Sequence, residues 1–272
     1  MIPASFDYQR AASAEEAVSM LGEHGDEAKL LAGGHSLLPL MKLRLATPSV
    51  VIDVGRIREL SYVRDGGDQV SIGALTRHRD VETSDLLQRE VPILAHVAGL
   101  VGDPQVRHRG TIGGSLAHGD PASDLPAVVL ALGGTLVVQG PGGRREIPAT
   151  EFFQGFLETA LAPDEMLVEI RVPKARGGWS YQKFNRRAID WAIVGVAAVR
   201  NGTTGVALVN MGPVPIRASA VEQALARGAS AADAAALSAE GTDPSADLNA
   251  SVEYRQHLAR VLVRRALEEA GA

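Results

Sequence analysis

Two short runs in this 272-residue chain combine paired glycines with hydroxyl side chains. The first is Ala32-Gly33-Gly34-His35-Ser36, and the second is Thr111-Ile112-Gly113-Gly114-Ser115. Paired glycines let a backbone approach an anion closely and turn consecutive N–H groups toward it. Ser36, Thr111 and Ser115 can add hydroxyl donors. Taken singly, Gly-Gly is the composition of an ordinary turn. Two matching runs in one chain predict a diphosphate held from both sides. Arg107-His108-Arg109 directly precedes the second run. It could neutralise such a group, face a partner, or simply be solvated.

Other chemistries lack their signatures. No strand is followed by G-x-G-x-x-G, and no G-x-x-x-x-G-K-[ST] occurs, which argues against Rossmann and P-loop sites. Gly34-His35-Ser36-Leu37-Leu38 starts like a nucleophile elbow but lacks the final glycine that the tight turn needs. His24, His78, His96, His108, His118 and His257 show no metal-ligand spacing, so no metal site is expected in this chain.

The elements around the runs follow from periodicity and capping. Ser13 to Leu21 reads as a capped helix stopped by Gly22. Residues 29–32 and 49–54 read as strands, which places the first run immediately after a strand. Residues 70–74, 135–139 and 166–172 read as strands, and 80–90, 93–101 and 124–132 as helices. Beyond Pro173, 180–185, 192–200 and 206–211 read as strands, with Asn201-Gly202 as a hairpin turn. From Ala218 onward the pattern is helical and alanine-rich, ending in an amphipathic helix from Val252 to Ala270. Its Arg255, Arg260, Arg264 and Arg265 read as a solvated face or a subunit contact. The expected units are 1–55, 56–174 and 175–272.

Composition narrows the function. The chain is 46% hydrophobic and 22% charged, a globular profile long enough for a large core. It has no cysteine, which excludes disulfides, thiolate metal sites and iron–sulfur clusters held by its own residues. A net charge of −5 argues against nucleic-acid binding. No apolar run is long enough to span a bilayer, and Met1 to Tyr8 lacks a signal-peptide pattern. A cytoplasmic location is the expectation.

The stretches A-G-G-H-S-L-L-P-L-M-K-L-R at 32–44 and T-I-G-G-S-L-A-H-G-D-P-A-S-D-L-P at 111–126 resemble the FAD-binding medium subunit of molybdenum hydroxylases. Medium subunits of aerobic carbon monoxide dehydrogenases are the nearer likeness, and the xanthine dehydrogenase FAD domain a more distant one. The likeness covers essentially the whole chain. It implies an α+β fold similar to vanillyl-alcohol oxidase and p-cresol methylhydroxylase flavoproteins. Two subdomains would hold FAD between them, beside a C-terminal domain with a small antiparallel sheet and helices.

The resemblance also implies site residues. Ala32, Gly33, Gly34, His35 and Ser36 would line the FAD pyrophosphate, with Thr111, Ile112, Gly113, Gly114 and Ser115 opposite. Asp124 would accept hydrogen bonds from cofactor hydroxyls, Leu167 would cover the flavin, and Lys183 would be a cationic contact. Each has an ordinary alternative: Asp124 as a helix cap, Leu167 as core, Lys183 as a surface lysine. His118 and Asp120 fall inside the second stretch, near the expected cofactor.

The function implied is electron transfer within an oxidoreductase complex. A molybdopterin-binding large subunit would oxidise the substrate, and a [2Fe-2S] small subunit would feed the FAD. The expected assembly is a dimer of heterotrimers. A self-contained flavin reductase or oxidase, or a non-catalytic nucleotide-binding module, are the alternatives.

Overall fold

The computed structural model describes residues 2–271. The N-terminal unit is a three-stranded parallel sheet of Asp7–Arg10, Val50–Asp53 and Ala28–Leu31, in that spatial order. The helix Ala14–His24 connects the two outer strands and buries Ala14, Ala17, Val18 and Leu21. Ser13 caps it, its Oγ accepting the Glu16 N–H at 3.1 Å. The helix runs through Gly22, the expected stop, and ends at Gly25, whose φ of +55° suits glycine. The carboxyl ends of the parallel strands gather at one edge. Ala32–Ser36 leaves that edge beside Val54 and Gly55, the position where ligands bind parallel sheets.

The second sheet is antiparallel, in the order Val63–Asp65, Gln69–Gly73, Met166–Pro173, Thr135–Gly140, Gly143–Pro148. Six short helices lie in the chain between its second and fourth strands. The expected helix over 80–90 is two, His78–Thr83 and Asp85–Glu90, because Ser84 is extended and caps the second. Both faces of the sheet are covered. Val137, Met166 and Val168 join the core of the N-terminal unit, while Leu136, Leu167, Ile170 and Val172 join a larger core with the helices. A β-bulge between Leu167 and Glu169 resets the alternation, so Leu167 and Ile170 share a face although three positions apart.

The third sheet is antiparallel, Trp179–Phe184, Val194–Asn201, Thr203–Val209 and Ile216–Arg217. Its hairpin turns at Asn201-Gly202, with Gly202 at φ +78°. Alternation divides its side chains cleanly. Val194, Val196, Ala198, Val206 and Leu208 pack under the C-terminal helices Ser219–Ala226, Ala231–Ala236 and Val252–Glu269. Ala197, Val199, Ala207, Val209 and Tyr181 face the larger core instead. The C-terminal sheet and the middle unit therefore share one apolar interior. The observed class is the expected one: α+β, with a small antiparallel sheet and helices at the C-terminus.

Candidate functional site

The first glycine run is an open loop between the strand Ala28–Leu31 and the short helix Leu37–Lys42. Among the described residues, the N–H groups of Gly33, Gly34, His35 and Ser36 make no hydrogen bond. Gly34 has φ +80°, a region that disfavours other residues. Gly33 sits against the second unit: a Cβ there would run into the Arg109 carbonyl and lie 2.7 Å from Gly110 Cα. His35 is exposed, while Ala32, Gly33, Gly34 and Ser36 are half-buried. Asp53 at the same edge is already engaged, taking the Tyr8 hydroxyl at 2.6 Å and the Gly55 N–H at 2.8 Å.

The second run shares the paired glycines and the serine but has a different build. It is the first turn of the helix Ile112–His118, with Thr111 as its cap. Its amides are spent internally. Ile112 N–H bonds Thr76 O at 3.0 Å, Gly113 N–H bonds Ala74 O at 2.9 Å, and Ser115 N–H bonds Thr111 O at 3.0 Å. Gly114 N–H bonds Thr111 Oγ1 at 3.1 Å. Gly113 is a packing glycine, since a Cβ would lie 2.5 Å from both Ala74 Cβ and its carbonyl oxygen. Gly114 and Ser115 are half-buried, and a Cβ on Gly114 would meet only the Thr111 hydroxyl. The two runs therefore differ in how their amides are used. One run offers free amides; the other offers a rigid wall with the Ser115 hydroxyl and the helix start.

Two residues that sequence reasoning passed over join the runs. Arg77 donates to the carbonyl of Arg109 and, at 3.4 Å, to that of Gly55, one from each unit. His78 N–H bonds Gly110 O at 3.0 Å, and a Cβ on Gly110 would lie 2.7 Å from the His78 ring. His78 is buried and its Nδ1 has no partner among the described residues. Burial, with His35, Arg107 and Arg77 nearby, pushes its pKa down to about 4. Burial, then Arg109, likewise lowers the Arg77 guanidinium. His78 is uncharged and Arg107 is paired with Glu82 at 3.1 Å, so Arg77 and Arg109 are the cations that the junction offers to an anion, with Asp53 and Asp80 also nearby. No spacing in the sequence links positions 77 and 78 to the glycine runs.

Asp124 is the first residue of the helix Asp124–Ala131, and Ser123 occupies the cap position without a side-chain cap bond. The capping alternative for Asp124 therefore does not hold. Its carboxylate accepts from the Tyr181 hydroxyl at 2.5 Å and from Lys183 Nζ at 2.9 Å. Burial pushes the Asp124 carboxyl up from its ordinary value, while Lys183 and Tyr181 pull against that rise. Lys183 is not a surface lysine: its side chain is 9% exposed. Leu167, 4% exposed, lies in the large core with Ile112 and Leu116, behind the second run. Contacts join the first run to the approach of the second, at Arg109–Gly110. Asp124 and Lys183 form a separate pair. Tyr181 was also missed, although its spacing of two from Lys183 puts both on one strand face.

Comparison with known proteins shows the family. Residues 4–175 match the family described as the FAD binding domain in molybdopterin dehydrogenase. Residues 179–270 match the CO dehydrogenase flavoprotein C-terminal domain. The chain belongs to the FAD-binding family of the molybdopterin dehydrogenases. Within that family it is 44% identical to the carbon monoxide dehydrogenase medium chain of Hydrogenophaga pseudoflava, over 100% of this chain and 99% of the relative. It is 40% identical to the corresponding chain of Afipia carboxidovorans, with the same coverage. A solved structure of the Hydrogenophaga carbon monoxide dehydrogenase, lacking the Mo-pyranopterin moiety, superposes with a TM-score of 0.95. That match has 46% identity and covers 100% of this chain and 99% of the other. FAD is the family's cofactor, and this chain is an oxidoreductase subunit.

Proposed function

We propose that this chain is the FAD-carrying electron-transfer subunit of a molybdenum-containing hydroxylase or dehydrogenase complex similar to carbon monoxide dehydrogenase. The observation that carries the site is the run 33–36, whose unspent amides lie at a junction that offers Arg77 and Arg109 to an anion. Such donors fit a diphosphate, because each free N–H can point at an anionic oxygen with no internal bond to break. Gly33, Gly34, His35 and Ser36 bind the diphosphate through the backbone, with Ala32 setting the start of the turn. Thr111, Ile112, Gly113 and Gly114 form the opposing wall, and Ser115 supplies a hydroxyl. Asp124 and Lys183 hold charge beside the flavin, and Leu167 backs the wall from the core.

FAD, when bound, supplies one- and two-electron redox chemistry. The protein's part is to bind it, orient it and fix the charge around it. Because the chain has no cysteine, iron–sulfur clusters must sit on another polypeptide. A [2Fe-2S] small subunit delivers electrons, a molybdopterin-binding large subunit oxidises the substrate, and an external acceptor takes the electrons away. Two such heterotrimers pair in the cytoplasm. No helix among the described residues is long and apolar enough to cross a membrane.

Purification from the native host tests this directly. Molybdenum-containing and iron–sulfur subunits should accompany the chain, which by itself should be yellow but unable to turn over substrate. Substrate turnover by the isolated chain would overturn the proposal. Gly33→Val should push the Arg109–Gly110 backbone away and weaken FAD binding roughly tenfold to a hundredfold, read by flavin fluorescence. Unchanged retention would remove the loop from the site.

A further inference from the structure

The strand Trp179–Phe184 carries Tyr181 and Lys183 two positions apart, so both side chains leave the same face. Both end on one carboxylate, Asp124, across the junction between the C-terminal sheet and the middle unit. Tyr181 donates to Oδ1 and Lys183 to Oδ2, and Lys183 also donates to the Leu100 carbonyl at 3.3 Å. Asp124 is 6% and Tyr181 is 8% exposed. An ammonium has three donors and Lys183 spends two of them here, which leaves one to present.

The Tyr181 ring lies among apolar residues of the shared core, where phenylalanine would pack as well. The hydroxyl serves Asp124 alone among the described residues. A donor on a buried carboxylate favours its ionised form, and only the ionised form is a counter-ion for Lys183. We infer that Tyr181 is a positioning residue of the flavin site, locking Asp124 as the counter-ion of Lys183 and so setting the charge Lys183 presents to the flavin. This rests on the reading that Lys183 lies at the FAD. The elements packed on the Asp124 helix bring His96, His118, Glu151, Arg200 and Arg217 as their other charged or titratable groups. None of these bonds Asp124, and Arg217 binds Leu130 O at the opposite end of that helix.

The test uses the full-length chain loaded with FAD. Tyr181→Phe should raise the FAD dissociation constant about tenfold. The flavin midpoint potential, followed from acid to alkaline pH, should gain an extra upward break on the acid side. There Asp124 takes up a proton earlier and leaves Lys183 uncompensated. Asp124→Asn, which removes the counter-ion at every pH, should give the higher potential without the break. A parental potential and pH profile in Tyr181→Phe would overturn the proposal. If Lys183→Met also leaves affinity and potential unchanged, the placement of Lys183 at the flavin is what fails. Should Tyr181→Phe not fold, 3-fluorotyrosine at position 181 keeps the ring and strengthens the donor. The stronger donor should hold Asp124 ionised to lower pH and so lower the acid-side potential, and an unchanged acid-side potential would overturn the proposal.

Discussion

At the scale of single residues, what lies behind a glycine decides its role. Gly113 and Gly114 are neighbours of one type, yet a Cβ on Gly113 meets the Ala74 backbone while one on Gly114 meets a hydroxyl. Gly113→Ala should therefore cost about 1–3 kcal/mol through overpacking, seen in denaturant unfolding. Gly114→Ala should disturb only the Thr111 cap, costing about 1 kcal/mol. Equal losses would contradict the packing assignment. This difference was not legible in the sequence, where both runs show paired glycines followed closely by a serine. The strand before Ala32 was legible, and with it the open loop at the sheet's carboxyl edge. The fold that spends the amides of 112–115 on Ala74 and Thr76 was not, because those partners lie far upstream of the motif.

At the scale of elements, the last helix shows how one buried charge can tie segments together. Arg255 is 2% exposed, bonds Ile193 O at 2.5 Å and pairs with Asp247 at 2.8 Å. Expected to be solvated or at a subunit contact, it instead fastens the helix Val252–Glu269 to the start of the strand Val194–Asn201. Arg255→Leu leaves the Ile193 carbonyl without its donor, while exposed Asp247 stays hydrated and bonded to the Asn249 and Ala250 N–H groups, and should destabilise by about 1–3 kcal/mol in thermal unfolding. Arg264, exposed and 3.6 Å from Glu268, should cost under about 0.5 kcal/mol when replaced by alanine. Comparable losses would place Arg255 on the surface after all. Apolar periodicity gave the long helices and central strands within a few residues. It was silent on Gly143–Pro148, an edge strand whose Arg144, Arg145 and Glu146 are exposed and carry no alternation. The hairpin of Phe153–Gly155 and Glu158–Thr159 is too short to leave a pattern.

At the scale of the molecule, the N-terminal and middle units meet at a buried, uncharged histidine. His78 binds a proton only near about 4 in the folded chain, whereas the unfolded chain takes it up on passing below its ordinary 6.5. Between those values the unfolded state holds more protons, so stability falls as pH falls; above 6.5 this contribution is constant. Urea unfolding should show a loss of roughly 2 kcal/mol between pH 7 and pH 5, and His78→Gln should flatten that part of the profile. An unchanged slope in the variant would assign the effect elsewhere. The contact of Gly33 with Arg109–Gly110 also fixes an order of events during synthesis. The free amides at 33–36 emerge early, but the backbone that seats them is made much later, and Lys183 later still. A nascent chain halted before Arg109 has the donors without the seat. On the proposed site, cofactor loading belongs to the finished chain, and flavin uptake reports completed folding rather than initiating it.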